Sequence, residues 1–223
     1  MAQLTWCYRY LGQTDDAVKA FLPLCRDDPT TPYFAAIPLT WTSVPTELDL
    51  ERQAVAWLQD KNSSAARLIG ASWSLTSARR AEAIKVLQQF ISDPDPRMAF
   101  LAETQLWRTQ VATSRAEDVN RWQERIERMP SDIRSGPYYV FGLALSRHEM
   151  HEPAAINFMR VAILYPSQRD LVPDSLLAAG RELETMERVT DAVGLYREIL
   201  TKYQTNRVAG EAESRLKQLA NGN

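Results

Sequence analysis

The sequence predicts an all-α protein made of stacked helical hairpins, and three observations support this fold class. The first is an internal echo in the C-terminal half, in which the pattern of 138–165 recurs at 176–203. The second is the recurrence of apolar residues at i, i+3, i+4 and i+7, which marks one face of a helix. The third is composition, since 45% hydrophobic residues and eight glycines argue against disorder. A repeat of this length indicates units that bury their apolar faces against one another.

The echo joins seven positions of one segment to seven of the next, and each pair keeps its chemical character. The pairs join Tyr138, Gly142, Leu145, Ala154, Phe158, Val161 and Tyr165 to Leu176, Gly180, Leu183, Ala192, Tyr196, Ile199 and Tyr203. Glycine costs roughly 1 kcal/mol against alanine in a helix, so two glycines in register indicate a close approach of two helices. The aromatic residues of the echo are then expected to fill the gap to the next hairpin.

The other segments follow in chain order from the same spacing. Residues 1–28 carry the apolar positions of a first hairpin, and residues 46–61 those of a single helix. Further hairpins are predicted at 63–93, 96–129, 136–165 and 173–203, with a closing helix at 206–220. The predicted core residues are Leu4, Tyr8, Phe21, Ile69, Trp73, Leu87, Phe90, Trp122, Ile126, Phe158, Ile199 and Leu216.

The order of residues within a hairpin resembles the tetratricopeptide repeat (TPR). The echo carries this order, and so do Ala66, Ile69, Gly70 and Trp73 in the second hairpin. The resemblance implies a right-handed solenoid of about five TPR-like helical hairpins with a C-terminal capping helix. It divides the chain into a first TPR hairpin at 1–28, a Pro-rich connection plus helix at 29–62, and a TPR-like array with its capping helix at 63–223.

The C-terminal part bears a closer resemblance. Two units longer than the usual TPR length of about 34 residues end at Tyr165 and Tyr203 and precede a final helix at 207–220. This arrangement is similar to the C-terminal domain of the Tol-Pal-associated TPR proteins of the bacterial periplasm (the YbgF/CpoB type). The sequence departs from that pattern at Gln204, where proline is expected, and it contains no N-terminal coiled coil.

The segment from Asp27 to Pro45 is the one irregular region. Its four prolines forbid a long helix, and the large apolar residues between them argue against a floppy linker. We expect an ordered connection, partly extended or with a short helix, packed on the solenoid. It either fills a gap in the array or acts as a peptide-binding loop.

Residues able to carry catalysis are few. The only histidines, His148 and His151, fall in a turn and do not form a zinc-binding motif, so they are expected to be exposed polar residues. No phosphate-binding loop or nucleophile motif occurs. Cys7 and Cys25 lie on the two helices of the first hairpin, and they are expected to pack in the core or to form a disulfide. The sequence therefore predicts no enzyme activity, no cofactor and no metal site.

The TPR resemblance implies a binding site on the concave face, where residues of the first helix of each hairpin point away from the second. Carried over position by position, the peptide-binding residues are Trp6, Arg9, Arg67, Tyr139, Leu143, Arg147, Leu177, Arg181 and Glu184. Ser74 belongs to the same face. Arginine pairs bidentately with carboxylates and tyrosine offers rigid contact area, so this set favours an extended acidic peptide.

Two function classes follow from these observations. The first is a non-enzymatic adaptor that binds a protein or peptide segment. The second is a structural or oligomerising repeat segment of a larger bacterial envelope or assembly protein. A net charge of −2 disfavours nucleic acid, and no stretch approaches the roughly 18 apolar residues of a membrane span. The sequence as it stands favours the cytoplasm, and a missing N-terminal leader would place it in the periplasm or envelope.

Overall fold

The computed structural model describes residues 2–27, 32–42 and 47–221, and within these ranges every regular element is helical. The described α-helices are α1 (Ala2–Tyr10), α2 (Thr14–Asp27), α3 (Leu48–Leu58), α4 (Ser64–Ser74), α5 (Arg80–Phe90), α6 (Pro96–Gln110), α7 (Ala116–Arg128), α8 (Ser135–Arg147), α9 (His151–Leu164), α10 (Val172–Thr185), α11 (Val189–Lys202) and α12 (Ala209–Asn221). Short 3-10 helices lie at Pro32–Ala36, Val111–Thr113 and Ser131–Ile133. The predicted all-α class is confirmed.

The helices fall where the hairpins are predicted. Two helices lie in each of the five segments predicted to be hairpins, and α3 and α12 match the predicted single helices. Among the described residues, no helix combines the length and apolar character needed to cross a membrane. Met1, residues 28–31, residues 43–46 and residues 222–223 lie outside the described ranges, and so does the predicted start of the helix at 46–61.

The chain divides into two compact units. The first comprises Met1–Gln110 with Arg128–Pro137, and the second comprises Val111–Glu127 with Tyr138–Asn223. The predicted domain boundaries after residues 28 and 62 both lie inside the first unit. Within that unit α1 packs on α2, α3 on α4, α4 on α5 and α5 on α6. Within the second unit α9 packs on α10, α10 on α11 and α11 on α12.

The described part of the proline-rich segment is ordered and buried, as predicted. Its 3-10 helix is followed by residues 37–40, which have no regular secondary structure, and Phe34, Ile37, Leu39 and Trp41 are all buried. Residues 37–42, called the strap from here on, lie along α4 and α6. Ser72 Oγ donates to the Thr40 carbonyl and accepts from the Thr40 N–H, both at 3.0 Å. The strap therefore fills a gap in the first unit, which is the first of the two roles predicted for this segment.

Further side chains of α4 and α6 satisfy the backbone carbonyls of the strap. Trp73 Nε1 donates to the Pro38 carbonyl at 2.9 Å, and Gln105 Nε2 donates to the Thr40 carbonyl at 3.1 Å. Arg108 donates to the Thr42 carbonyl at 2.5 Å. At the start of α8, Gly136 lies against the Trp41 ring so closely that a Cβ there would overlap it. Buried backbone groups need such partners, and side chains supply them here in place of a sheet.

The glycines of the C-terminal echo make the predicted close contacts, but with a different partner. A Cβ on Gly142 would lie 2.6 Å from Phe158 Cε1, and a Cβ on Gly180 would lie 2.7 Å from Tyr196 Cζ. Each aromatic ring thus rests on the glycine of its own hairpin. The missing Cβ of each glycine provides the space for its ring, and Tyr196 also belongs to the buried cluster that includes Ala209 and Ala212 of α12.

Three hairpins share one turn geometry. Gly12, Glu149 and Glu187 each have positive φ, at 72°, 59° and 59°. The residue after each donates its N–H to the carbonyl five positions back, with Gln13 to Tyr8 at 2.9 Å as the first example. Met150 to Leu145 at 2.9 Å and Arg188 to Leu183 at 2.8 Å repeat this bond. These bonds are those of a Schellman motif, which ends each first helix at the same point.

Several core predictions need correction. Phe21, Ile69, Leu87, Phe90, Trp122, Ile126, Phe158 and Ile199 are buried as predicted, whereas Tyr8, Trp73 and Leu216 are only partly buried. Leu4 is exposed, because Thr5 takes the inward position of α1 and is fully buried. Gly70 packs on the backbone of α3, where a Cβ would lie 2.6 Å from Leu58 Cα. It therefore serves a different helix pair from Gly142 and Gly180.

Candidate functional site

The polar residues that could carry chemistry are engaged in structural contacts. His148 Nε2 lies 3.2 Å from Ser114 Oγ, and His151 Nδ1 lies 2.7 Å from a carboxylate oxygen of buried Glu182. Glu182 also accepts from Ser146 Oγ at 2.6 Å. The prediction of exposed turn histidines is wrong, since both rings are partly buried and hydrogen-bonded. Within the described residues, no group of three or more His, Cys, Asp or Glu side chains could hold a metal.

The predicted peptide-binding residues of the first unit do not form an open surface. Arg9 is buried, stacks 4.9 Å from the Trp6 ring and donates to the Ala36 carbonyl at 3.2 Å. Arg67 donates to Gln89 Oε1 at 2.8 Å and stacks on Phe90, so it is turned toward α5. Ser74 is fully buried. The prediction of exposed positions is therefore wrong for Arg9 and Ser74, whose side chains serve the packing of the unit.

Two predicted binding residues of the second unit belong to its core. Tyr139 is buried and its ring lies 5.7 Å from the Phe158 ring. Leu177 is buried in the apolar cluster that joins α10, α11 and α12. Both predictions of an exposed position are wrong, because these side chains point into the contact between helices.

The four remaining predicted residues differ in their exposure and bonding. Arg147 is exposed and forms no ion pair with the described carboxylates, and Leu143 is partly buried. Arg181 pairs with Glu211 of α12. Glu184 accepts from Arg215 Nε at 3.0 Å and from the Tyr196 hydroxyl. Arg181 and Glu184 therefore already hold the closing helix.

The attachment of α12 has a further electrostatic component. Burial raises the pKa of Asp174 to about 6, and the ion pair with Arg207 opposes this shift. Burial and the Glu184 hydrogen bond also raise the pKa of the Tyr196 hydroxyl. Burial thus disfavours the charged form of Asp174, and the ion pair with Arg207 offsets part of that cost.

A groove of 630 Å³ lies in the second unit, between α9 and α11. Its walls and floor include Ile156, Met159 and Ile163 of α9, Leu183 of α10, and Gly194 and Leu195 of α11. A Cβ on Gly194 would meet nothing within 4 Å, so the α11 wall is open at that point. We call this feature the α9–α11 groove.

The α9–α11 groove is exposed and apolar. Ile156, Ile163 and Leu164 are 48%, 67% and 58% exposed. Scattered apolar residues on a surface need no explanation, but a contiguous set around a concave surface indicates a place where another molecule docks. The sequence indicates such a surface, because α9 has apolar residues on its outer side as well as on the side that faces the core.

The rim of the α9–α11 groove bears charge on both sides. On α9, Arg160 stacks 5.3 Å from the Tyr138 ring and donates to Asn157 Oδ1 at 3.1 Å. At the start of α11, Arg188, which precedes the helix, pairs with Asp191 at 2.7 Å. Arg160 forms no ion pair with any described carboxylate, so one rim is cationic and the other is neutral.

A second pocket, of 540 Å³, lies in the first unit, and aspartates line part of it. Asp60 and Asp93 each accept a backbone N–H two residues further on, at 2.7 and 2.9 Å. Asp95 pairs with Arg97 at 2.9 Å. These carboxylates are used in local turns and an ion pair, so the pocket offers no comparable docking surface.

Comparison with known proteins adds no assignment. No family model, no curated protein and no solved structure matches this chain. The candidate site therefore rests on the geometry of the α9–α11 groove alone. Cys7 on α1 is exposed with a free thiol, so the prediction that it packs in the core or forms a disulfide is wrong, and it takes no part in the groove. The side chain of Cys25 lies outside the described part of the structure.

Proposed function

We propose that this chain is a non-enzymatic protein-interaction module, built as a TPR-like right-handed solenoid of about five hairpins, that docks a partner in the α9–α11 groove. The observation that carries the proposal is the exposure of Ile156, Ile163 and Leu164 around one concave surface. Burying such a surface against a partner releases about 25 cal/mol for each Å² of apolar area.

The geometry of the groove fits a helical occupant. Ile156 and Ile163 lie two turns apart on α9, a distance of roughly 10 Å along the axis. Two helices side by side present a trough whose width suits a third helix packed against both. An amphipathic helix that places residues i, i+3, i+4 and i+7 in such a trough is a recurrent mode of protein recognition.

The predicted concave-face site has less support. Among its residues, Arg9, Tyr139 and Leu177 are buried, and Arg181 and Glu184 hold α12 through ion pairs. An extended peptide would have to displace those pairs. The α9–α11 groove needs no such rearrangement, because its apolar side chains are already exposed.

The experiment is a selection from a displayed library of amphipathic helices, each about five turns long so that it spans the groove. The apolar stripe is randomised among Leu, Ile, Met and Phe, and the flanking positions among Glu, Gln and Lys. Clones that bind the wild-type protein are then measured as synthetic peptides against Ile163→Asp. We expect this substitution to weaken binding by about tenfold or more, because it places a charge in the apolar contact.

A matched control separates the groove from general surface hydrophobicity. Leu48 on α3 is 74% exposed and lies outside the groove, so Leu48→Asp should leave the affinity unchanged. Failure to recover binders, or equal loss with both variants, would refute docking in the groove. Circular dichroism of both variants checks that they remain folded.

A second candidate function is self-association, and one observation favours it. Leu4, Tyr10 and Leu11 form an exposed apolar strip on and just after α1, beside the exposed Cys7. A second copy of the chain that packed on this strip would make the protein an oligomerising scaffold. Light scattering of wild type and Leu11→Asp tests it, since only the wild type would form the larger species.

A further inference from the structure

The charges around the α9–α11 groove are distributed unevenly, and this asymmetry specifies the partner. The groove contains Arg160 on the α9 rim and the pair of Arg188 and Asp191 on the α11 rim. Because Asp191 neutralises Arg188, Arg160 is the one charge in the lining that lacks a described counter-ion.

The position of Arg160 is fixed by its neighbours rather than left to the solvent. Its guanidinium stacks on Tyr138 and donates to Asn157. A cation held against an aromatic ring loses little further side-chain entropy when it binds a carboxylate. Its remaining N–H groups present a fork that suits a bidentate carboxylate.

Arg160 also lies among the apolar residues that α9 contributes to the groove. It follows Met159 directly and lies one helical turn from both Ile156 and Ile163, so all four share the outer side of α9. A ligand that covers the isoleucines therefore brings its own flanking residue next to the guanidinium.

We infer that the occupant of the α9–α11 groove is an amphipathic helix of a partner protein that carries an acidic residue along one flank of its apolar stripe. This inference rests on the function proposed above and adds the charge and orientation of the ligand. The apolar stripe supplies most of the affinity, and the Glu or Asp that meets Arg160 selects the partner and its direction.

The helix library tests the inference through its randomised flanks. Clones selected on the wild-type protein should be enriched in Glu over Lys on one flank only, since the other flank faces the neutral pair of Arg188 and Asp191. As synthetic peptides, the Glu form should bind about fivefold more tightly than the Gln form. In about 1 M salt this advantage should largely disappear, because the Debye length falls to about 3 Å.

Substitutions at Arg160 and at Arg147 distinguish the groove from the concave face. With Arg160→Glu, selection should favour Lys on that flank, while Arg160→Gln should remove the charge preference and keep the apolar stripe. Arg147→Glu is the matched control, since Arg147 is exposed and belongs to the predicted concave site. The Glu preference should survive in that variant.

Each outcome has a separate meaning. If wild-type binders are lost with Ile163→Asp but their flanks show no charge preference, docking stands and the acidic partner is refuted. If the Glu preference is lost with Arg147→Glu instead of Arg160→Glu, the ligand lies on the concave face and the inference is overturned. If light scattering shows that the groove binds a second copy of the chain, the acidic partner helix is likewise refuted.

Discussion

The two compact units solve the problem of packing short helices in different ways. In the second unit, two consecutive hairpins use the same contact between glycine and an aromatic ring and the same turn, at matching positions of the echo. In the first unit, the strap, which has no regular secondary structure, lies along helices α4 and α6 and is held by side chains such as Ser72 and Gln105. A repeated local contact leaves a recognisable period in the sequence, whereas a single long-range insertion leaves none.

The role of glycine shows the same difference. Gly142 and Gly180 each make room for a side chain, and that side chain belongs to the second helix of the same hairpin in both cases. Gly70 makes room for the backbone of a preceding helix, α3, and so belongs to no repeat of this kind. One residue type at similar positions in the pattern therefore serves two kinds of helix contact.

The largest expected effect comes from removing an aromatic ring of the repeat. Phe158→Ala should lower the free energy of unfolding by about 3–5 kcal/mol, because the ring is buried and rests on Gly142. Urea denaturation followed by circular dichroism measures it. Ile156→Ala on the exposed side of the same helix is the control and should cost far less; equal losses would contradict the contact described.

A smaller effect is expected from filling the space beside a repeat glycine. Gly180→Leu should cost about 1–3 kcal/mol, because the added side chain meets the Tyr196 ring. Gly194→Leu is a matched control, since that glycine faces open space on α11 and leucine has the higher helix propensity. The control should be neutral or stabilising in the same urea experiment. A destabilised Gly194→Leu would mean that the α9–α11 groove is not open.

The smallest of the three effects concerns the strap. Ser72→Ala removes both hydrogen bonds to Thr40, but the Thr40 carbonyl keeps its bond from Gln105. The loss should therefore be about 1–2 kcal/mol, mainly from the unpaired amide. Limited proteolysis should cut the strap faster in this variant than in Ser64→Ala, whose side chain is exposed. Unchanged cleavage would show that Ser72 does not retain the strap.

The regular part of the fold could be predicted from the sequence because its causes are local. The helix pairs and the glycine contacts follow from spacing within about one hairpin, as Gly142 and Phe158 illustrate. The shared turn could not be predicted in the same way, because Gly12 suggests positive φ while Glu149 and Glu187 do not. Those two glutamates adopt positive φ because the Schellman hydrogen bonds between the two flanking helices require it.

The candidate site was harder to predict than the helices. The concave-face prediction depends on the resemblance to TPR proteins, and helical spacing alone cannot tell whether Tyr139 or Leu177 contacts another helix. Ile156 and Ile163 were visible in the sequence as apolar residues outside the inner stripe. Their exposure depends on the gap between α9 and α11, and this gap is a property of the packed hairpins.

The strap has a consequence for the order of folding. Its bonds to Gln105 and Arg108 join positions that lie far apart in the chain, whereas the contact between Gly142 and Phe158 closes a loop within a single hairpin. Longer loops cost more entropy and form later, so we expect the hairpins of the second unit to close before the strap docks. Pulsed hydrogen exchange during refolding would reveal the order, and early protection of the Thr40 amide would contradict it. During synthesis on the ribosome, the strap emerges before α6. Its backbone carbonyls therefore lack their hydrogen bonds from Gln105 and Arg108 until that helix has been made.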